Sequence, residues 1–251
     1  MNQRIEIGVA DRVMTIMMNR PEQKNALDHQ MYAGMADGLA EADAREDVRA
    51  IVISGRGDAF TSGNDIADFM QPFPDGEPPA WRFLSAILRA QKPMFCAVNG
   101  AAVGVGLTML LHADFAFAAE EATFKVPFAR LGLVPEAASS LLLPKVVGMA
   151  MANDILIAGR TLSARDALQS GLISRIYPSG DLLSETMKTA REVASLAPTA
   201  VARSKSLIRG DRDRIAARIQ EEGELFAAQL QSPEFMESAS AFLQKRAPNF
   251  D

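Results

Sequence analysis

Residues 94–111, MFCAVNGAAVGVGLTMLL, run for 18 positions without a charge. A stretch of that length is a membrane-span candidate. Its composition argues otherwise: Asn99 and three glycines (Gly100, Gly104, Gly106) interrupt it, basic or aromatic flanks are missing, and His112 and Asp114 follow at once. A buried strand over 94–98, a glycine loop and a buried helix produce the same hydropathy. On that reading the chain is an α/β protein with its core in the middle of the sequence.

Outward from that stretch, 50–54 (AIVIS) is short, β-branched and without alternation, the pattern of a parallel strand covered on both faces. Residues 114–119 repeat it more weakly. Helical segments at about 80–90 and 105–112 separate these strands, so strand and helix alternate in the order that right-handed crossovers require. Near the start, 4–9 and 13–18 read as a hairpin around Ala10-Asp11-Arg12. Asp28 then precedes Met31, Met35, Leu39 and Ala42 at helical spacing, as an N-cap before an amphipathic helix.

Past residue 135 the chain becomes rich in Ala and Leu. Segments 136–157, 164–170, 181–196, 199–209, 212–231 and 233–245 read as helices punctuated by Pro144, Gly171, Pro198, Gly210 and Pro233, with one strand at 173–177. The expected organisation is a core over 1–195 and a C-terminal helical region over 196–251. Residues 71–79 (QPFPDGEPP) have loop composition and suggest a flap near a site.

The 251 residues are 48% apolar and 23% charged, with 26 basic against 31 acidic side chains and a net charge of −5. A chain this long buries roughly 70–75% of its unfolded surface and needs no staples; the single cysteine, Cys96, agrees. Dispersed, net-negative charge argues against non-specific nucleic-acid binding. The N-terminus carries no charged segment followed by a long apolar one, so a cytoplasmic location is expected. Two histidines, His29 and His112, leave no basis for a histidine metal site, and His112 reads as a satisfied core residue. No dinucleotide fingerprint, phosphate-binding loop or G-x-S-x-G elbow is present.

Three elements can carry chemistry. The loops 60–66 (FTSGNDI) and 99–106 (NGAAVGVG) each follow a strand and lead toward a helix, where backbone N–H groups are free. Facing each other they would make an oxyanion hole; singly, their glycines need mean no more than tight turns. The third element is Leu133-Val134-Pro135-Glu136. Pro and Glu suit the first turn of a helix, yet apolar neighbours would also raise the pKa of a general base. Both readings of Glu136 stand on local sequence.

These segments, with 19–27 (NRPEQKNAL), 124–128 (FKVPF), 131–136 (LGLVPE) and 242–246 (FLQKR), resemble the crotonase superfamily, the enoyl-CoA hydratases and isomerases, along nearly the whole chain. The resemblance implies a spiral of ββα turns with two roughly perpendicular sheets and a C-terminal helical trimerisation region. It implies an acyl-CoA thioester as substrate, coenzyme A entering as part of that substrate with no further cofactor, no membrane or nucleic-acid partner, and a homotrimer or a hexamer. Lys24, Ala26, Ser62, Asp65 and Ile66 would border the CoA. The N–H groups of Asn64 and Val105 would hold the thioester oxygen, where relatives usually carry Ala and Gly.

The departures narrow the reaction. Hydratases of the superfamily carry two glutamates; the matching positions here are Thr108 and Phe128, which would line the pocket with Phe69. The P-E-x-x-S-S of Pro135–Ser140 after the P-F-x-x-L-G of Pro127–Gly132 resembles the peroxisomal-type Δ3,Δ2-enoyl-CoA isomerases. That implies Glu136 as sole acid/base. A hydratase, or a member running another reaction of the superfamily on an unusual acyl group, with Asp65, Asp68 or Glu136 recruited as base, is the nearest rival. A non-catalytic acyl-CoA- or RNA-binding relative is the other, because Arg203, Lys205, Arg209, Arg212, Arg214 and Arg218 form a basic run; Asp211 and Asp213 interrupt it, which favours a solvated helix face.

Overall fold

Asp11 and Arg12 both take left-handed backbone (φ 51 and 65), the conformation of a tight two-residue turn whose twist matches its strands. Around them Ile5–Ala10 (β1) and Val13–Met18 (β2) form the expected antiparallel hairpin. The computed structural model describes residues 4–69, 77–244 and 246–250, without the side chains of Ile66, Phe69, Phe242 and Leu243. Asp28 caps His29–Ala44 (α1), its Oδ1 accepting the Met31 N–H at 2.8 Å. Met31, Met35, Leu39 and Ala42 are all buried on one face of that helix.

From β2 the chain continues into Ala50–Gly55 (β3), which pairs parallel to it. Three times a strand of this large sheet is followed by a three-residue strand of a second sheet: β3 by Ala59–Thr61 (β4), Met94–Val98 (β5) by Ala101–Val103 (β6), and Phe115–Ala119 (β7) by Thr123–Lys125 (β8). Between them lie Ile66–Phe69 (α2), Pro79–Arg89 (α3) and Val105–Thr108 (α4). Ser139–Val147 (α5), Met149–Leu156 (α6), Leu162–Ser163 (β9), Ala164–Gln169 (α7) and Arg175–Tyr177 (β10) follow. The large sheet has the order β1-β2-β3-β5-β7-β10 and the small one β4-β6-β8-β9. This is the α/β spiral that the sequence led us to expect.

The absence of alternation in β3 and β5 has the expected cause. One face of the large sheet (Met14, Ile16, Ile51, Ile53, Cys96, Val98) packs into the main core with α1 and α3. The other face (Val13, Ala50, Val52, Phe95, Ala97, Phe117) is covered by Leu182–Ser195 (α8) through Leu182, Ala190 and Ala194. Phe95 and Phe115 stack across neighbouring strands with centroids 4.3 Å apart. No described helix is long and apolar enough to cross a membrane, and within residues 94–111 the strand β5 and the turn α4 are buried.

Several expectations change. Residues 105–112 make one α turn and then a 3-10 turn over Met109–His112. The segment 136–157 breaks at Gly148 (φ 80) into α5 and α6, and α5 starts at Ser139, not at Pro135. Pro135 and Glu136 therefore precede the helix; Ala137 and Ala138, at φ 61 and 56, turn the chain into it. Strands β4, β6, β8 and β9 escaped notice because two or three residues carry no periodicity. The flap expected at 71–79 lies outside the described residues as far as 76.

Pro198–Arg209 (α9), Arg212–Gln229 (α10) and Pro233–Leu243 (α11) complete the C-terminal helical region. The basic run is not simply a solvated face: Lys205 is buried, and its Nζ meets Asp114 Oδ2 at 2.8 Å while Arg209 Nη2 meets Oδ1 at 3.0 Å. Asp114, just before β7, thereby ties α9 to the large sheet.

At Gly100 the backbone leaves β5 so close to its neighbour that an added Cβ would lie 2.1 Å from the Asp58 carbonyl oxygen. Gly100→Ala must push two backbone segments apart. The expected loss is about 1–3 kcal/mol, read as a lower urea midpoint at unchanged slope. A midpoint equal to wild type would contradict this packing.

Candidate active site

The segment before α1 serves as scaffold for the first loop. Buried Asn25 donates from Nδ2 to the Arg56 and Ala59 carbonyls, both at 2.8 Å, and its own carbonyl accepts the Thr61 hydroxyl at 2.7 Å. Residues 24–27 then run beside 62–65: Ser62 N–H donates to Lys24 O, Leu27 N–H to Gly63 O and Asp65 N–H to Leu27 O, at 2.8–2.9 Å. Because Leu27 bonds to the residues on either side of Asn64, the Asn64 peptide N–H points away from Leu27. It makes no backbone bond among the described residues.

The second loop leaves the strand next door. β4 and β6 are parallel neighbours, so residues 62–65 and 104–106 emerge from the same end of the small sheet. Gly104 takes φ 55 and anchors its N–H on Lys125 O at 2.8 Å. Val105 then opens α4 with ordinary helical backbone, its N–H being one of the orphan donors of a first turn. Gly106 permits the approach of the two loops, since a Cβ there would sit 2.6 Å from Thr61 Cγ2. Of the departures noted in this pair, Val105 is harmless because Gly104 carries the unusual torsion.

Glu136 joins this end of the sheet through Thr108, the last residue of α4, whose hydroxyl donates to Glu136 Oε1 at 2.5 Å. Thr108 and Phe128 are buried, and Phe128 contributes apolar wall. Desolvation pushes the Glu136 pKa up to about 7; the Thr108 hydrogen bond opposes the rise and the Glu222 charge adds to it. Since Glu136 precedes α5 rather than opening it, it lacks the helix-dipole stabilisation that a first-turn position would supply. The general-base reading therefore gains over the structural one. The residue as a whole is only partly buried.

One residue near it, Tyr32, is not marked by the sequence. Tyr32, inside α1, is buried and donates its hydroxyl to Asn64 Oδ1. Burial, and secondarily the charge of Glu136, holds its pKa well above the ordinary phenol value. It thus stays neutral and is bonded to the first loop. His112 is the satisfied core histidine expected: its Nε2 lies 2.8 Å from the Ala137 carbonyl, which only accepts, so that nitrogen carries the proton. Burial lowers its pKa to about 4.

Of the residues expected to border CoA, Lys24 is exposed and pairs with Asp58 at 2.6 Å, Ala26 O accepts Arg20 Nη1 at 3.1 Å, and Ser62 is exposed alongside them. Asp65 pairs with Arg20 at 2.6 Å and receives the Ala67 N–H at 3.1 Å. The Arg20 contact and these amides overcome its desolvation and hold its pKa below the usual value. Ile66 and Phe69 begin and end α2, with side chains outside the described residues.

A cavity of about 1050 Å³ lies elsewhere, between β7, α5 and α9, with Leu110, Leu142, Ala200 and Ile208 on its walls. Neither Glu136 nor the two loop amides border it. Of the charges that line it, Asp114, Lys205 and Arg209 pair with one another. Among the described residues no group of three His, Cys, Asp or Glu could hold a metal ion.

A family model described as enoyl-CoA hydratase/isomerase matches residues 8–251. Human enoyl-CoA delta isomerase 2 is 32% identical over 246 residues, 94% of this chain; the chain spans 62% of that relative's length. The 2,3-dehydroadipyl-CoA hydratase of Escherichia coli is 31% identical over 95% of each chain. A crystal structure of an enoyl-CoA hydratase/isomerase from Pseudoalteromonas atlantica superposes with a TM-score of 0.97 at 48% identity, covering 99% of this chain and 100% of that one.

Proposed function

Because the chain belongs to the enoyl-CoA hydratase/isomerase family, we propose that it takes an acyl-CoA thioester and moves a double bond from C3 to C2, with Glu136 as the only acid/base. The Glu136 carboxylate takes a proton from C2. The C–H electron pair flows into the thioester, whose oxygen becomes an enolate held by the Asn64 and Val105 N–H groups. When the carbonyl re-forms, C2 and C3 become doubly bonded and the former C3–C4 π pair takes the proton back from Glu136 at C4. Two preorganised donors contribute about 3–4 kcal/mol each in comparable sites.

The observation that carries this reading is the Glu136 carboxyl, bonded to Thr108 and with its pKa pushed up to about 7 by desolvation, while the two hydratase glutamate positions are taken by Thr108 and buried Phe128. Hydration needs a second acid/base, and the available candidates are engaged. Asp65 is bound to Arg20 and to backbone amides, and Asp68 accepts the His29 N–H at 2.6 Å. The test is direct comparison of isomerisation of a 3-enoyl-CoA with hydration of the matching 2-enoyl-CoA. Isomerisation faster by at least about 100-fold is expected; equal or faster hydration would replace this reading with the hydratase one.

The same carboxyl sets a pH dependence. Glu136 must be ionised to accept the C2 proton, and with its pKa near 7 the ionised form is lost as pH falls. We expect kcat/KM to be level above about pH 8 and to drop about tenfold per unit below about pH 6. A profile flat down to pH 5 would place the base elsewhere.

A further inference from the structure

The first amides of α5 are not capped from their own segment. Ala138 stands at the N-cap position and offers no side-chain acceptor. Instead Glu222, from the middle of α10, accepts the Ser140 N–H on Oε1 at 2.9 Å. Its residue is 5% exposed, and Oε2 is buried without a hydrogen bond among the described residues. A carboxyl oxygen left so is expensive, and stability alone would favour a neutral cap. The turn it holds is the one that carries Glu136: Ser139 N–H donates to Glu136 O at 3.0 Å, and His112 holds the Ala137 carbonyl from the other side.

We infer that Glu222 is a positioning residue for Glu136, locking the left-handed Ala137-Ala138 turn and laying a second buried carboxyl behind the first. It deepens the reading of Glu136 as acid/base and rests on it. The charged and titratable groups facing the pair are few. Tyr32 and His112 are neutral near pH 7. Arg218, which donates to the Ser140 hydroxyl at 3.1 Å, is already paired with Glu221 at 3.0 Å. Burial lifts the Glu222 pKa despite the Ser140 and Ala138 donors and the Arg218 charge, and Glu222 in turn lifts that of Glu136. A negative charge on Glu222 therefore disfavours ionisation of Glu136.

The test is a carbon-13 NMR titration of the glutamate carboxyls in the full chain, assigned through Glu136→Gln and Glu222→Gln. Glu222→Gln keeps an acceptor for Ser140 and removes the charge. The Glu136 midpoint is expected to fall by roughly 0.5–1.5 pH units, and the acid limb of kcat/KM with it. Glu222→Ala also removes the acceptor, so the shift should persist while kcat drops roughly tenfold further at nearly constant KM. An unmoved Glu136 midpoint in folded Glu222→Gln overturns the inference. If neither variant folds, the wild-type protein decides: mutually biphasic curves for the two carboxyls support the pairing, and independent single steps overturn it. The NMR readout needs no turnover, so absence of isomerase activity would count against the proposed reaction and leave this test standing.

Discussion

Glu136→Gln is expected to lower kcat for 3-enoyl-CoA isomerisation roughly 10²–10⁴-fold, about 3–5 kcal/mol of barrier, with KM little changed. The amide matches the carboxyl in size and still accepts the Thr108 hydroxyl, but it can neither take the C2 proton nor return it at C4. A second readout has the opposite sign. In the folded protein the Glu136 pKa lies near 7 against an ordinary 4.5, so the folded state holds a proton that the unfolded chain releases. The ionised carboxylate is destabilising above about pH 7, and that penalty vanishes below about pH 4.5. Glu136→Gln should therefore be more stable than wild type at pH 8, on the order of 1–3 kcal/mol after allowance for partial exposure, and no more stable at pH 4. Thermal unfolding at the two pH values checks this. A slow variant with no stability gain at pH 8 would mean that the carboxyl is not desolvated as described.

Asp114→Ala should cause the largest loss of stability, about 3–5 kcal/mol. Asp114 holds buried Lys205 and partly buried Arg209 on its two oxygens and also accepts the Met94 N–H at 2.8 Å. Without it, two cations face each other in a low-dielectric site. Burial already lowers the Lys205 pKa, with Asp114 as the chief influence holding it up. Part of the loss should be relieved at alkaline pH, where Lys205 can release its proton, and by a Lys205→Met partner substitution; Arg209 stays charged throughout. Urea unfolding of the single and double variants measures the coupling. A loss below about 1 kcal/mol in Asp114→Ala would reduce this network to surface decoration.

Isolated pairs of residues distinguish what was legible from what was not. The hairpin, α1 with its Asp28 cap, and the strands β3, β5 and β7 could be read directly because each carries its own periodicity or turn chemistry over five residues or more. The family resemblance then joined the glycine loops to Glu136. It did not reveal why Thr108, the stand-in for a hydratase glutamate, matters: a threonine in an apolar run looks like core, and only in the folded chain does its hydroxyl meet Glu136. Tyr32 likewise reads as one more apolar position of α1, and its bond to Asn64 spans 32 residues.

By itself, then, the order of apolar runs and glycine turns determined an alternating α/β core and the two loops, because those choices are local and each segment expresses its own backbone preference; the two-sheet spiral entered only with the family resemblance. Tertiary structure alone decided the state of Glu136. The motif Pro135-Glu136 suits a stabilised ion at the mouth of a helix, yet the chain turns left-handed at Ala137 and Ala138 and starts the helix only at Ser139. The carboxyl thereby exchanges the field of the helix for a dry wall and a like charge from α10. A proton's affinity for a side chain depends on what surrounds it in space, and those surroundings come from residues 28 and 86 positions away, Thr108 and Glu222.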